Sequence, residues 1–151
     1  MKLDSVVKAV EQFDLLDGVA SSLAKAVGRV VKPRPVRNLL SGTYIGHPLH
    51  PVLTDLPIGA WTMAALLDLA GGRASEPAAD ALVAVGIATA VPTAAAGLND
   101  WSDTEGKPQR TGLVHALVNT TGLCFYVSSA VARRSGRRGL GKTWAWRASV
   151  W

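Results

Sequence analysis

Cysteine is almost missing from this chain: Cys124 stands alone among 151 residues, so no intramolecular disulfide and no CxxC redox or metal pair can form. Catalytic signatures are missing too. There is no GxSxG, no HExxH, no glycine-rich phosphate loop and no inward carboxylate pair of clear spacing, and Asp100, Asp103 and Glu105 read as the acids of a solvated turn. The N-terminus MKLDSVVKAVEQFD lacks the apolar core and small-residue cleavage site of a signal peptide, so membrane insertion falls to internal segments. A formal charge of +5 would suit nucleic acid, but the first 130 residues carry no basic face with aromatic or polar readers between the charges. Nucleic acid is therefore not an expected partner.

What the chain does have is apolar blocks, and its length fits one domain. The cations concentrate in Lys25 to Arg37 and Arg133 to Arg147, flanking those blocks as membrane segments are flanked. Three segments, about Val52 to Ala70, Ala79 to Leu98 and Thr111 to Ala132, are each near the twenty residues that cross roughly 30 Å of hydrocarbon. Asp55 and Asp68 interrupt the first, leaving a clean stretch of about 18 Å, a pattern that a helix of a soluble bundle also tolerates. The second decides for the membrane. ALVAVGIATAVPTAAAGL has no charge and places Gly86, Ala90 and Ala94 at the four-residue spacing that lets helices approach closely in lipid, with a kink expected at Pro92. Cys124 reads as a small buried side chain within the third block, and Trp101, in the polar loop NDWSDTEGKPQR, reads as an interface anchor.

Ahead of these blocks, Val6, Val10, Phe13, Leu16, Leu23, Val27 and Val30 recur at mostly three- and four-residue steps, predicting an amphipathic helix or helix pair over residues 3–31 with a break at Gly18. KPRPVRN, from Lys32 to Asn38, is expected to stop that helix and begin a linker. The fold class follows: an all-α integral membrane helical bundle preceded by an amphipathic helix, a multi-pass protein whose first partner is the lipid bilayer.

The blocks GHPLHPVLTDLPIGAWTMAALLDL, AADALVAVGIATAVPTAAAGLNDW and RTGLVHALVN resemble, in order, a family of small bacterial membrane domains of unknown function, found alone or joined to a C-terminal Rieske two-iron, two-sulfur domain. The resemblance covers about residues 36–140, leaving an amphipathic segment and Pro-rich linker at 1–35 and a basic, Trp-rich tail at 141–151. It implies a four-helix domain of the bacterial inner membrane, associated with respiratory or redox proteins. Here three membrane helices are followed by KTWAWRASVW, with three of the five tryptophans in the last eight residues. Shifting the reading frame converts each Trp to an NTG codon and yields the start of an apolar helix, so a frameshift or sequencing error is expected, against the alternative of a genuine interfacial tail.

The chemistry-bearing set is His47, His50, Asp55, His115 and Asn119. In HPLHP each proline pushes the preceding histidine toward extended backbone, so His47 and His50 are expected in a bent segment just before the first membrane helix. Asp55 follows one turn into the helix, as a partner for His50 or a helix-start anion. His115 and Asn119 share one face of the third helix, and an ionisable group in an apolar span is a functional candidate. Three readings stay open: His47, His50 and His115 as ligands of a b-type haem; the histidines with Asp55 around zinc, copper or iron; and a polar network that ties the first and third membrane helices and binds nothing. The corresponding functions are a non-catalytic module that anchors or docks a Rieske-type iron–sulfur partner, a metal- or haem-dependent membrane oxidoreductase, and a purely structural helix-packing protein. A second copy of the chain is a further candidate partner.

Overall fold

The computed structural model describes residues 3–149, and every regular element among them is helical. The α-helices are α1 (Leu3–Glu11), α2 (Asp17–Val30), α3 (Arg34–Leu40), α4 (Leu49–Ala70), α5 (Glu76–Trp101), α6 (Lys107–Arg134) and α7 (Arg138–Ala148), with single 3₁₀ turns at Asp14–Leu16, Thr43–Ile45 and Arg73–Ser75. Helices α4 and α6, and the stretch Arg73–Trp101 that contains α5, are long and apolar enough to cross a membrane. Their outward faces carry Ile58, Leu66, Val85, Val91, Leu117 and Val131, all exposed, as a lipid-facing surface requires.

Each of the three begins before its expected start, and α5 and α6 also run past their expected ends, because the polar residues at their ends are helical too. The N-terminal break falls at Gln12–Phe13 rather than at Gly18, which lies inside α2. The stretch read as a linker contains α3, with Pro35 in its first turn, where a missing N–H costs nothing.

Two compact units make up the chain. The first comprises Met1–His50 and Ala94–Leu117. Its core packs Ala20 and Ala24 of α2 against Trp101 of α5 and Leu113 of α6. Trp101 is thus buried, not an interface anchor; its indole donates to the carbonyl of Gln109 at 2.9 Å and lies where a Cβ on Gly112 would stand. Arg110 ties the N-terminal helices to α6, with a two-pronged contact to Asp17 (2.6 and 2.9 Å), a pair with Asp14 at 2.5 Å and a bond to the carbonyl of Glu11 at 2.6 Å. Arg37 of α3 pairs with Asp103.

The second unit comprises Pro51–Thr93 and Val118–Trp151. Here Trp61 of α4 and Tyr126 of α6 stack with ring centroids 3.9 Å apart and planes 7° from parallel, over Ala64 and Val83. Gly86 is what admits the indole, since a Cβ there would overlap it. Two prolines lie within helices. Pro57 offers no N–H to the carbonyl of Leu53, four residues back; the hydroxyl of Thr93 on α5 lies 3.1 Å from that carbonyl and 2.8 Å from the carbonyl of Thr89, sharing its proton between them. Helix α5 runs unbroken through Pro92.

Candidate functional site

The HPLHP segment is shaped by glycine as much as by proline. Gly42 and Gly46 bracket the 3₁₀ turn Thr43–Ile45 with φ of 76° and 68°, the left-handed region that glycine reaches without strain. A Cβ on Gly42 would also strike the backbone carbonyl of His47, so the chain closes on itself immediately before α4. His47 lies in that approach, exposed, with Nδ1 3.3 Å from the carbonyl of Pro48. His50 does not: it is the second residue of α4, despite preceding Pro51. The first turn of a helix has no i−4 partner to lose, so Pro51 is tolerated there. The His50 imidazole packs against α5 at Gly97, where a Cβ would come within 2.7 Å of Cε1 and 2.8 Å of Nδ1. It therefore joins α4 to α5.

His115 lies in the same unit as His47 and His50, on α6, and is exposed. Asp55 and Asn119 belong to the second unit and are exposed on α4 and α6. Cys124, expected to be buried, is exposed as well. Among the described residues no group of three or more His, Cys, Asp or Glu side chains is arranged to hold a metal ion. Neither the cavity of about 290 Å³ in the second unit nor the cleft of about 840 Å³ in the first has a histidine in its wall.

Among the described residues the most densely built polar site lies elsewhere, in the second unit. Arg133, near the end of α6, has a side chain only 2% exposed; it pairs with Asp68 of α4, and with Asp80 of α5 at 2.8 Å. Its Nε donates to Ser129 Oγ at 3.0 Å, and Ser129 in turn donates to the carbonyl of Gly141 at 2.7 Å, drawing in α7. Arg138 of α7 reaches Asp68 (3.0 Å), Asp80 (2.5 Å) and, at 3.5 Å, Glu76. Lys142 donates to the carbonyl of Asp68 at 3.1 Å and stands 3.8 Å from its carboxylate. Three cations thus face three carboxylates, a neutral set in which each buried charge is compensated, the condition under which charges are tolerated in an apolar setting. The signal was present in the sequence: Asp68 and Arg133 each sit at the edge of an apolar span and each needs a partner of the other sign.

Beside this cluster the 290 Å³ cavity is walled by the stacked Trp61 and Tyr126, by alanines of α4 and α7, and by Trp146, with Lys142 and Ser149 among its polar groups. Tyr126 Oη lies 3.0 Å from Ser149 Oγ.

Residues 46–150 match the family model described as a predicted membrane protein, DUF2231. The chain belongs to that family. The DUF2231 region holds all five of the expected site residues, the whole ion cluster and the cavity, and it extends over helix α7. Neither the curated proteins nor the solved structures give a match.

Proposed function

We propose that this DUF2231 chain is a non-catalytic integral module of the bacterial cell membrane that anchors or docks a soluble electron-transfer partner, of the Rieske iron–sulfur type named by the resemblance above. The observation carrying this reading is the pinned N-terminal apron. Helices α1 and α2 are held by Arg110 while Phe13, Leu15 and Val19 remain exposed, Leu15 at 81%. An amphipathic segment fixed in place by a three-carboxyl-oxygen and carbonyl clamp presents a rigid apolar surface, and preorganised surface lowers the ordering cost of association. The ion cluster, with each charge compensated, supports the structural role of the rest and favours a second reading in which the chain only packs helices.

The test is binding of a purified Rieske-type protein from the same cell to the full chain in lipid nanodiscs. Saturable binding that is lost in Leu15→Asp/Val19→Asp is expected, and no binding would leave the packing reading. An absorption spectrum of the same preparation, oxidised and dithionite-reduced, with metal analysis, addresses the histidines: a Soret band or stoichiometric metal lost on His115→Ala would replace docking by a cofactor role.

A further inference from the structure

We infer that the cavity beside Trp61 and Tyr126 holds one acyl chain of an anionic phospholipid, with its phosphate at Lys142. The cavity has the composition of an amphiphile site, an apolar wall with a few polar groups beside it. Stacked aromatic rings, Ala65 and Ala145 supply the wall; the indole N–H of Trp61 is directed at the carbonyl of Val83, 3.4 Å away, and the Tyr126 hydroxyl is engaged by Ser149, so neither is offered to a polar ligand body. Lys142 supplies the polar end. Its ammonium donates one proton to the carbonyl of Asp68 at 3.1 Å and stands 3.8 Å from the carboxylate, beyond hydrogen-bond distance, so it keeps donors for a phosphate.

The charge around the cavity selects the headgroup. From Arg133 to Arg147 the chain carries six cations and no acid. Arg133, Arg138 and Lys142 are matched by Asp68, Glu76 and Asp80. Arg134, Arg137 and Arg147 have no carboxylate partner among the described residues, so this end of α6 and α7 carries a surplus of three positive charges. Helix α7, with 11 residues, is about 16 Å long and cannot cross roughly 30 Å of hydrocarbon. Its Trp144 and Trp146, with Lys142 and Arg147, have the composition of a segment lying at headgroup depth. Part of the cavity wall, Lys142 and Arg147 share the short helix α7, with Arg137 just before its start and Arg134 at the end of α6, an arrangement that recognises an anionic lipid rather than a neutral one.

The test is native mass spectrometry of the full chain, delipidated in mild detergent and titrated separately with phosphatidylglycerol, phosphatidylcholine and a free fatty acid. One phosphatidylglycerol retained per chain, with roughly tenfold or greater preference over phosphatidylcholine, is expected. Arg134→Gln/Arg137→Gln/Arg147→Gln should cut that preference roughly tenfold or more, at about 1 kcal/mol per cation. Ala65→Phe and Ala145→Phe, which fill the cavity from α4 and from α7, should each abolish retention while the helical circular dichroism is kept. If one of the two unfolds, the other still decides. Equal retention of the two phospholipids, retention in a folded filled variant, or displacement by the fatty acid at equal concentration would each overturn the assignment.

Discussion

The hydroxyl of Thr93 lies 3.1 Å from the carbonyl of Leu53 on the neighbouring helix, at the point where Pro57 leaves that carbonyl without its intrahelical donor, and 2.8 Å from the carbonyl of Thr89 on its own helix, so its one proton is shared between the two. A proline within an apolar span is tolerated when a neighbour re-satisfies the freed group, and Thr93 is that neighbour. Interhelical hydrogen bonds in membranes average about 0.6 kcal/mol and reach about 1.7. Because this one answers an otherwise orphaned carbonyl but shares its proton with the carbonyl of Thr89, Thr93→Val should fall between the two figures in unfolding titrations in micelles. In a Pro57→Ala background the helix supplies its own N–H, and the same change should cost less than half as much. Equal costs in both backgrounds would show that Thr93 does not compensate for Pro57.

The ion cluster should respond unevenly to removal of its carboxylates. Asp68, with its side chain 10% exposed, serves Arg133, Arg138 and Lys142, whereas the side chain of Asp80 is 40% exposed. Breaking a buried pair leaves a charge without compensation and costs about 3–5 kcal/mol, while an exposed pair contributes about 1 or less. Asp68→Asn should therefore approach the larger figure and Asp80→Asn should fall well below it, read by thermal or denaturant unfolding. Arg133→Leu made together with Asp68→Asn should be less destabilised than the sum of the two single changes. Similar losses at Asp68 and Asp80 would count against the buried role of Asp68.

The three long helices and their membrane character were legible because an apolar run of that length has few alternatives. Partnerships were not. Asp68 and Arg133 are 65 positions apart, and nothing local to either says that they meet. The local preference of a residue preceding proline puts His50 before the helix, and the helix overrides that preference in its first turn. Trp101 looked like an interface anchor because its neighbours are polar, but Gly112, eleven residues on, opens a slot for its indole. The two prolines in KPRPVRN read as helix breakers, yet proline is at home at a helix start, and α3 begins at Arg34 with Pro35 in its first turn.

Gly97→Ala offers a test of the histidine contact whose sign changes with background. In a helix interior, alanine is favoured over glycine by roughly 0.5–1 kcal/mol. At this site the added Cβ would stand 2.7 Å from Cε1 of His50, and such overpacking costs about 1–3 kcal/mol. The clash should prevail, so Gly97→Ala should lower stability by about 1 kcal/mol with His50 present and raise it by a few tenths or more in His50→Ala. A stabilising Gly97→Ala in the wild-type background would show that the imidazole does not rest on α5.

Arg110 is the lock on the N-terminal helices, since one guanidinium meets Asp17, Asp14 and the carbonyl of Glu11 together. Its two-pronged geometry on Asp17 depends on a planar fork that an ammonium cannot reproduce. Hydrogen–deuterium exchange of the full chain in nanodiscs should show faster exchange across α1 and the first turns of α2 in Arg110→Gln, and nearly as fast in Arg110→Lys, with the apolar centre of α6 unchanged. If the docking reading holds, both variants should also bind the Rieske-type partner more weakly, because the exposed Phe13, Leu15 and Val19 are then no longer held in one orientation. Slow exchange preserved in Arg110→Gln would mean that the packing of Ala20 and Ala24 against Trp101 and Leu113 holds the apron without the arginine.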